Sequence, residues 1–181
     1  IGVRLVGSEM CIRDRYKKYC QEKDIKVIVQ CVPYYYKNID GTFEKYIDGG
    51  MYPEYVTITP IEDYNYVNEN PDVIAFQYPY DNYNSAGTTD PVFYSYNLAS
   101  HTQKLIYIPY FRTDEIDEND MRAYTNMDAY VTMPGVVYAD KVIVQSEEIR
   151  KLYIKKLTDF FGEESEDEWE DKIEAEDIGG I

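Results

Sequence analysis

Short β-branched runs, separated by polar and helix-compatible stretches, constrain this chain more than any other feature. Ile25, Val27, Val29 and Cys31 alternate within IKVIVQCV, PDVIAFQ spans Pro71 to Gln77, KLIYI follows, and KVIV occupies Lys141 to Val144. Runs this short and apolar suit buried strands, and strands alternating with helices give a parallel sheet covered on both faces. The clearest unit couples KVIV to a helix. Ser146 stands as its N-cap, Glu147 and Glu148 complement the dipole in the first turn, Lys155 and Lys156 lie toward the other end, and Gly162 stops it. The expected fold is α/β: a Rossmann-like parallel sheet with flanking helices over residues 16–162.

The connectors carry weaker signals. Lys37 to Met51 contains Asn38, Asp40-Gly41 and Gly49-Gly50, which predicts a long excursion with a turn or small hairpin. EYVTIT reads as a short strand ended by Pro60, and IEDYNYVNENPD as a polar connector with one helical turn. Pro91 opens a helix on which Phe93, Tyr94 and Leu98 share a face. Pro134-Gly135 breaks a mixed segment and leads into a short helix, and YKKYCQEK is a polar helix end.

Both ends of the chain depart from this pattern. Residues 1–15 hold neither a 3.6 nor a 2.0 period, and Val6 to Arg15 resemble translated sequencing-adapter read-through. They are set aside as a non-native leader, so the first strand of the fold is expected to be missing. Of the formal charge of -16, the stretch Glu163 to Asp177 supplies -9 through ten acids and one base, Lys172. Residues 163–181 read as an acidic helical tail leading to a missing second lobe, with a helix from Glu166 to about Ala175 and Trp169 and Ile173 as its anchor.

The acidic balance excludes nucleic-acid binding through the bulk surface and leaves at most peripheral membrane contact. No apolar run approaches a membrane span, and no signal peptide precedes the domain. Cys11, Cys20 and Cys31 form no CxxC pair and His101 is the single histidine, so reduced thiols in the cytoplasm are expected, with no metal site and no cofactor. GxGxxG, P-loop and GxSxG strings are absent.

Ligands of open parallel sheets gather at the carboxyl ends of the strands. The loops there are Pro33 to Tyr36, Tyr78 to Ser85, Pro109 to Arg112, and Gln145-Ser146. They bring Tyr34, Tyr80, Asp81, Asn82, Asn84, Tyr110 and Arg112 to one rim as candidate substrate-binding residues, a polar and aromatic mixture suited to a polyol or sugar phosphate. His101 falls at the opposite face, where it satisfies a helix end. Ser146 reads as a cap alone, and Asp114, Glu115, Asp117 and Glu118 as solvated loop charge.

CVPYYYKNIDGTFEKYIDGGMYPEYVTIT, NPDVIAFQYPYDNYN, FYSYNL, KLIYIPYF and GVVYADKVIVQSEEIRKLYI, taken in order, resemble the CDP-glycerol:poly(glycerophosphate) glycerophosphotransferase family. The resemblance covers about Tyr16 to Lys172. It implies the N-terminal, acceptor-side lobe of a GT-B transferase of teichoic-acid-type polymer synthesis, working at the inner face of the membrane. Its partners would be a glycerol-phosphate or glycan acceptor, free or lipid-linked, and a C-terminal donor lobe absent from this chain, which is inactive alone. The family places a histidine base at the end of the strand matching KLIYI. Here Ile108 to Phe111 reads IPYF, so no catalytic residue is carried over, and a phenol is a poor base near neutral pH. The alternative is a non-catalytic carbohydrate-binding or protein-docking α/β domain.

Overall fold

The computed structural model describes residues 2–5, 25–46, 54–114, 116 and 119–176. The helix expected at YKKYCQEK, together with Cys11, Cys20, Gly49-Gly50, Glu115, Asp117 and Glu118, lies outside the described residues.

Strands β1 (Gly2–Leu5), β2 (Lys26–Val29), β5 (Val73–Phe76), β7 (Lys104–Tyr107), β8 (Lys141–Val144) and β9 (Ile173–Ala175) form one sheet in the order β2-β1-β5-β7-β8-β9. Every neighbouring pair is parallel. The short helices between them are α1 (Tyr66–Glu69), α2 (Ser95–Ala99), α3 (Met121–Asn126), α4 (Asp128–Val131) and α5 (Pro134–Tyr138). The long α6 (Glu147–Phe161) follows β8, and α7 (Glu166–Lys172) precedes β9. This is the Rossmann-like α/β architecture that the apolar runs predict. Strand alternation divides the core in two. Ile74, Phe76, Leu105, Tyr107, Val142 and Val144 pack against α2 to α7, whereas Val29, Ala75, Ile108 and Ile143 pack with Val56 on the opposite face.

A second, antiparallel sheet, in the order β4-β3-β6, joins β3 (Tyr34–Lys37), β4 (Phe43–Tyr46) and β6 (Gly87–Thr89). The hairpin expected after Lys37 is therefore present, but it begins earlier, at Tyr34. β3 starts just past the carboxyl end of β2 and β6 follows that of β5, so this small sheet stands at the carboxyl edge of the large one.

Four features differ from expectation. Gly2–Leu5, inside the segment set aside as a leader, fills the place of the first strand between β2 and β5. A slot flanked by two parallel strands accepts any short extended run, because backbone groups alone satisfy its ladder. EYVTIT contributes one parallel bridge, Ile58 to Val29, instead of a strand. The nearby Gln30 side chain ties this segment by donating from Nε2 to the carbonyls of Pro60 and Tyr64 at 3.0 and 3.1 Å. The helix opened by Pro91 breaks at Tyr94 into a 3-10 turn, Pro91–Phe93, and α2, because Asp81 caps a new helix start at Ser95. Finally, the acidic tail does not remain helical to Ala175. Trp169 and Ile173 are buried and β9 pairs with β8, since an apolar anchor and an open sheet edge outweigh the surrounding charge.

Candidate functional site

The order β2-β1-β5 reverses the direction of chain progression beside β1, and open parallel sheets place their ligand crevice at such a reversal, outside the carboxyl ends. Tyrosines collect there. Tyr34 meets Tyr78 edge-on at 5.6 Å between ring centres, Tyr78 meets Tyr80 at 5.1 Å, and Tyr80 meets Tyr110 at 6.5 Å and Tyr130 at 6.2 Å. Tyr36 and Tyr46 extend the row along the small sheet, with centres 5.0 Å from Tyr34 to Tyr36 and 6.0 Å from Tyr36 to Tyr46. Edge-to-face packing of this kind fixes ring orientations and so fixes the hydroxyls they carry.

Tyr80 and Tyr110 share a hydrogen bond between hydroxyl oxygens 3.1 Å apart, with Tyr80 buried and Tyr110 41% exposed. The pair therefore runs from the interior to the surface. Tyr78 donates to the Gly87 carbonyl at 3.0 Å. A Cβ at Gly87 would come within 2.1 Å of the Tyr34 hydroxyl, so glycine is what lets β6 lie against that ring. Burial pushes the Tyr78 phenol above the ordinary range, helped by the neighbouring Tyr34, and burial followed by the Tyr110 hydrogen bond does the same to Tyr80. Both stay neutral at physiological pH and serve as hydroxyl donors and acceptors.

The other predicted rim residues divide. Asp81, with a left-handed φ of 49°, turns inward and accepts from the Ser95 N–H and hydroxyl, each at 2.8 Å. Its carboxylate caps α2 and does not face a ligand, which corrects the sequence reading. Asn82 and Asn84 offer their backbone carbonyls to Lys37 Nζ at 3.1 and 2.7 Å, and Asn84 Oδ1 accepts from the Ala86 N–H at 2.8 Å. They lock the loop after β5 to the small sheet. Arg112 lines a separate small pocket with Thr113, Gln145 and Tyr153. Tyr34, Tyr80 and Tyr110 are thus brought into one row, Tyr34 through Tyr78, and Asn84 adjoins it through a side-chain hydrogen bond with Tyr78, while Asp81, Asn82 and Arg112 are not part of it. On the other face of β3, Tyr35 and Lys45 border an open cleft of about 520 Å³ with Ile58, Glu62 and Phe93.

Sequence reasoning missed Tyr78, Tyr107, Tyr130 and Tyr153. Tyr107 on β7 and Tyr153 on α6 are fully buried, yet among the described residues neither hydroxyl has a hydrogen-bond partner. Burial raises both phenols far above the ordinary range. His101 sits as expected, its Nδ1 2.9 Å from the Asn97 carbonyl, and Ser146 Oγ accepts from the Ile149 N–H at 3.3 Å as a cap.

Among the described residues no group of three or more His, Cys, Asp or Glu is placed to hold a metal ion, and no helix is long and apolar enough to cross a membrane. Compared with protein-family models, with curated proteins and with solved structures, the chain gives no match.

Proposed function

We propose that this chain is the acceptor-side lobe of a two-lobed GT-B-type transferase, one that presents a polyol or glycan acceptor to a CDP-linked donor held by another lobe. The observation that carries the reading is the Tyr80–Tyr110 hydroxyl pair at the carboxyl edge, beside the reversal in strand order. Neutral phenols in a fixed row suit a neutral, hydroxyl-rich ligand: rings cover its C–H faces and hydroxyls exchange hydrogen bonds with its own.

The test is a pair of titrations of this chain. Glycerol, followed by NMR of the tyrosine rings, is expected to shift Tyr80 and Tyr110, while CDP-glycerol, followed by calorimetry, is expected to give no micromolar binding. Silent tyrosines at the highest glycerol concentration would remove the acceptor reading. Micromolar CDP-glycerol affinity would reverse the lobe assignment.

A second reading, a binding domain without catalysis, is favoured by IPYF at Ile108 to Phe111, where the resembling family has its histidine. The full open reading frame distinguishes the two: CMP release from CDP-glycerol in the presence of acceptor supports the transferase, and acceptor binding without release supports the binding domain.

A further inference from the structure

The open cleft on the face of β3 away from the tyrosine row begins just past β2, where Cys31 and Pro33 line it, and so stands beside the reversal in strand order. Its volume of about 520 Å³ falls in the range of about 300–1,000 Å³ that small-molecule sites occupy. Ile58, Pro60, Ile61 and Phe93 give it apolar walls.

The register of the small sheet sorts the charges of this cleft. Tyr35 lines it from the central strand, with Lys45 directly opposite on β4 and Thr88 directly opposite on β6. Asp90, two residues past Thr88, lines the same cleft, and Glu62 lines it from the segment after Pro60. A cation therefore flanks Tyr35 on one side and a carboxylate on the other. Neighbouring strands lie about 4.8 Å apart, so the backbones of Lys45 and Thr88 are separated by about 10 Å. Among the described residues no ion pair joins Lys45 to Glu62 or Asp90, and Asp90 caps the Val92 N–H through Oδ1 at 3.0 Å, which leaves its second oxygen for a ligand.

What fits such a cleft carries both signs. A simple anion would meet two carboxylates and a simple cation would meet Lys45, whereas a molecule oppositely charged at its two ends satisfies both sides. An apolar middle would then cover the walls. The charges of a free amino acid sit on neighbouring carbons and cannot reach both sides at once. Two extended residues span about 7 Å, which leaves about a hydrogen bond's length to bridge.

We propose that this cleft binds a dipeptide with free termini and apolar side chains, its carboxylate on Lys45 and its ammonium on Asp90 and Glu62. Tyr35, between the two charges, would lie under the peptide unit. This site is separate from the tyrosine row and does not rest on the acceptor reading.

The experiment follows the backbone amides of Tyr35, Lys45, Glu62 and Phe93 by NMR while alanyl-leucine is titrated into the chain. Three controls are titrated alongside: the N-acetylated dipeptide, which lacks the ammonium, the dipeptide amide, which lacks the carboxylate, and leucine alone. Alanyl-leucine should shift the four amides saturably, and each control should bind about fivefold more weakly, the upper worth of an exposed ion pair. Two variants assign the ends. Lys45→Met should lose the preference for alanyl-leucine over its amide and keep the preference over the acetylated form. Glu62→Gln/Asp90→Asn should do the reverse, and it retains an oxygen to cap Val92. All three positions are exposed, so both variants should unfold at the parental temperature. Silent amides, equal binding of the free and capped peptides, or both preferences surviving in both variants would each overturn the proposal. Alanyl-leucine should leave the Tyr80 and Tyr110 rings unmoved; a response at those rings with the cleft silent would overturn the dipeptide site and leave the acceptor reading standing.

Discussion

The Lys156–Asp128 pair gives the sharpest test of the packing described here, because its two ends sit in different surroundings. Lys156 projects from α6 with its side chain 4% exposed, 2.6 Å from an Asp128 carboxylate that is 55% exposed, and 3.7 Å from the centre of the Tyr124 ring. Removing the anion leaves, among the described residues, a buried ammonium with the Tyr124 ring for compensation. Breaking a fully buried pair costs about 3–5 kcal/mol, and the hydrated state of Asp128 lowers this to about 2 kcal/mol. For a chain of this size that is a fall of about 4–8 °C in the unfolding temperature. Lys156→Met is the opposite case. It keeps the apolar stem against Tyr124 and leaves Asp128 in water, so its cost should stay within about 0.5 kcal/mol. Asp128→Ala should therefore be the more harmful single change, and adding Lys156→Met to it should recover most of the loss. Urea melts of the four proteins complete the cycle. A Lys156→Met variant as unstable as Asp128→Ala, or a double variant no better than Asp128→Ala, would refute the argument that burial of the ammonium sets the cost.

Two further outcomes follow from the fold. Trp169→Ala should destabilise by about 3–5 kcal/mol, the usual cost of deleting a large buried ring, and amide exchange at Ile173 to Ala175 should accelerate with it; unchanged exchange would mean that β9 holds its place without the ring. Burial raises the Asp81 carboxyl above its ordinary range against the pull of the two Ser95 bonds, so the native state holds this proton more tightly than the unfolded chain does. The stability of the parent relative to Asp81→Asn should be greatest below the ordinary aspartate range and decline as pH rises through the raised value. Melts of both proteins from acid to neutral pH measure this, and a difference that grew with pH would reverse the sign.

The parts legible from sequence were those whose signals are local. KVIV, Ser146 and Gly162 lie within one stretch and each acts on its immediate neighbours, so the β8–α6 unit is where the pattern places it. The pattern marks Pro33 to Tyr36 as a loop because the sheet that holds Tyr34–Lys37 depends on Gly87–Thr89, some fifty residues on, and on glycine leaving room for the Tyr34 ring. Asp81 was misread for a related reason: its partner Ser95 is 14 residues away, and the left-handed backbone that turns the carboxylate inward carries no glycine to mark it. The buried hydroxyls of Tyr107 and Tyr153 were invisible because an apolar pattern reports which face a ring occupies and not where its oxygen ends.

The outer strand β9 also bears on how copies of this chain meet one another. A parallel sheet that stopped at β8 would offer four residues of unpaired backbone to any passing strand. β9 covers that edge with three residues, among them an exposed Glu174 tied to Lys141 at 2.5 Å, and it follows a helix crowded with carboxylates. A second copy approaching this side would meet a short template and charge of its own sign, which is how exposed edges are kept from pairing. The acidic run thus works as a guard on the sheet, holding neighbouring molecules apart where the backbone would otherwise invite them to join.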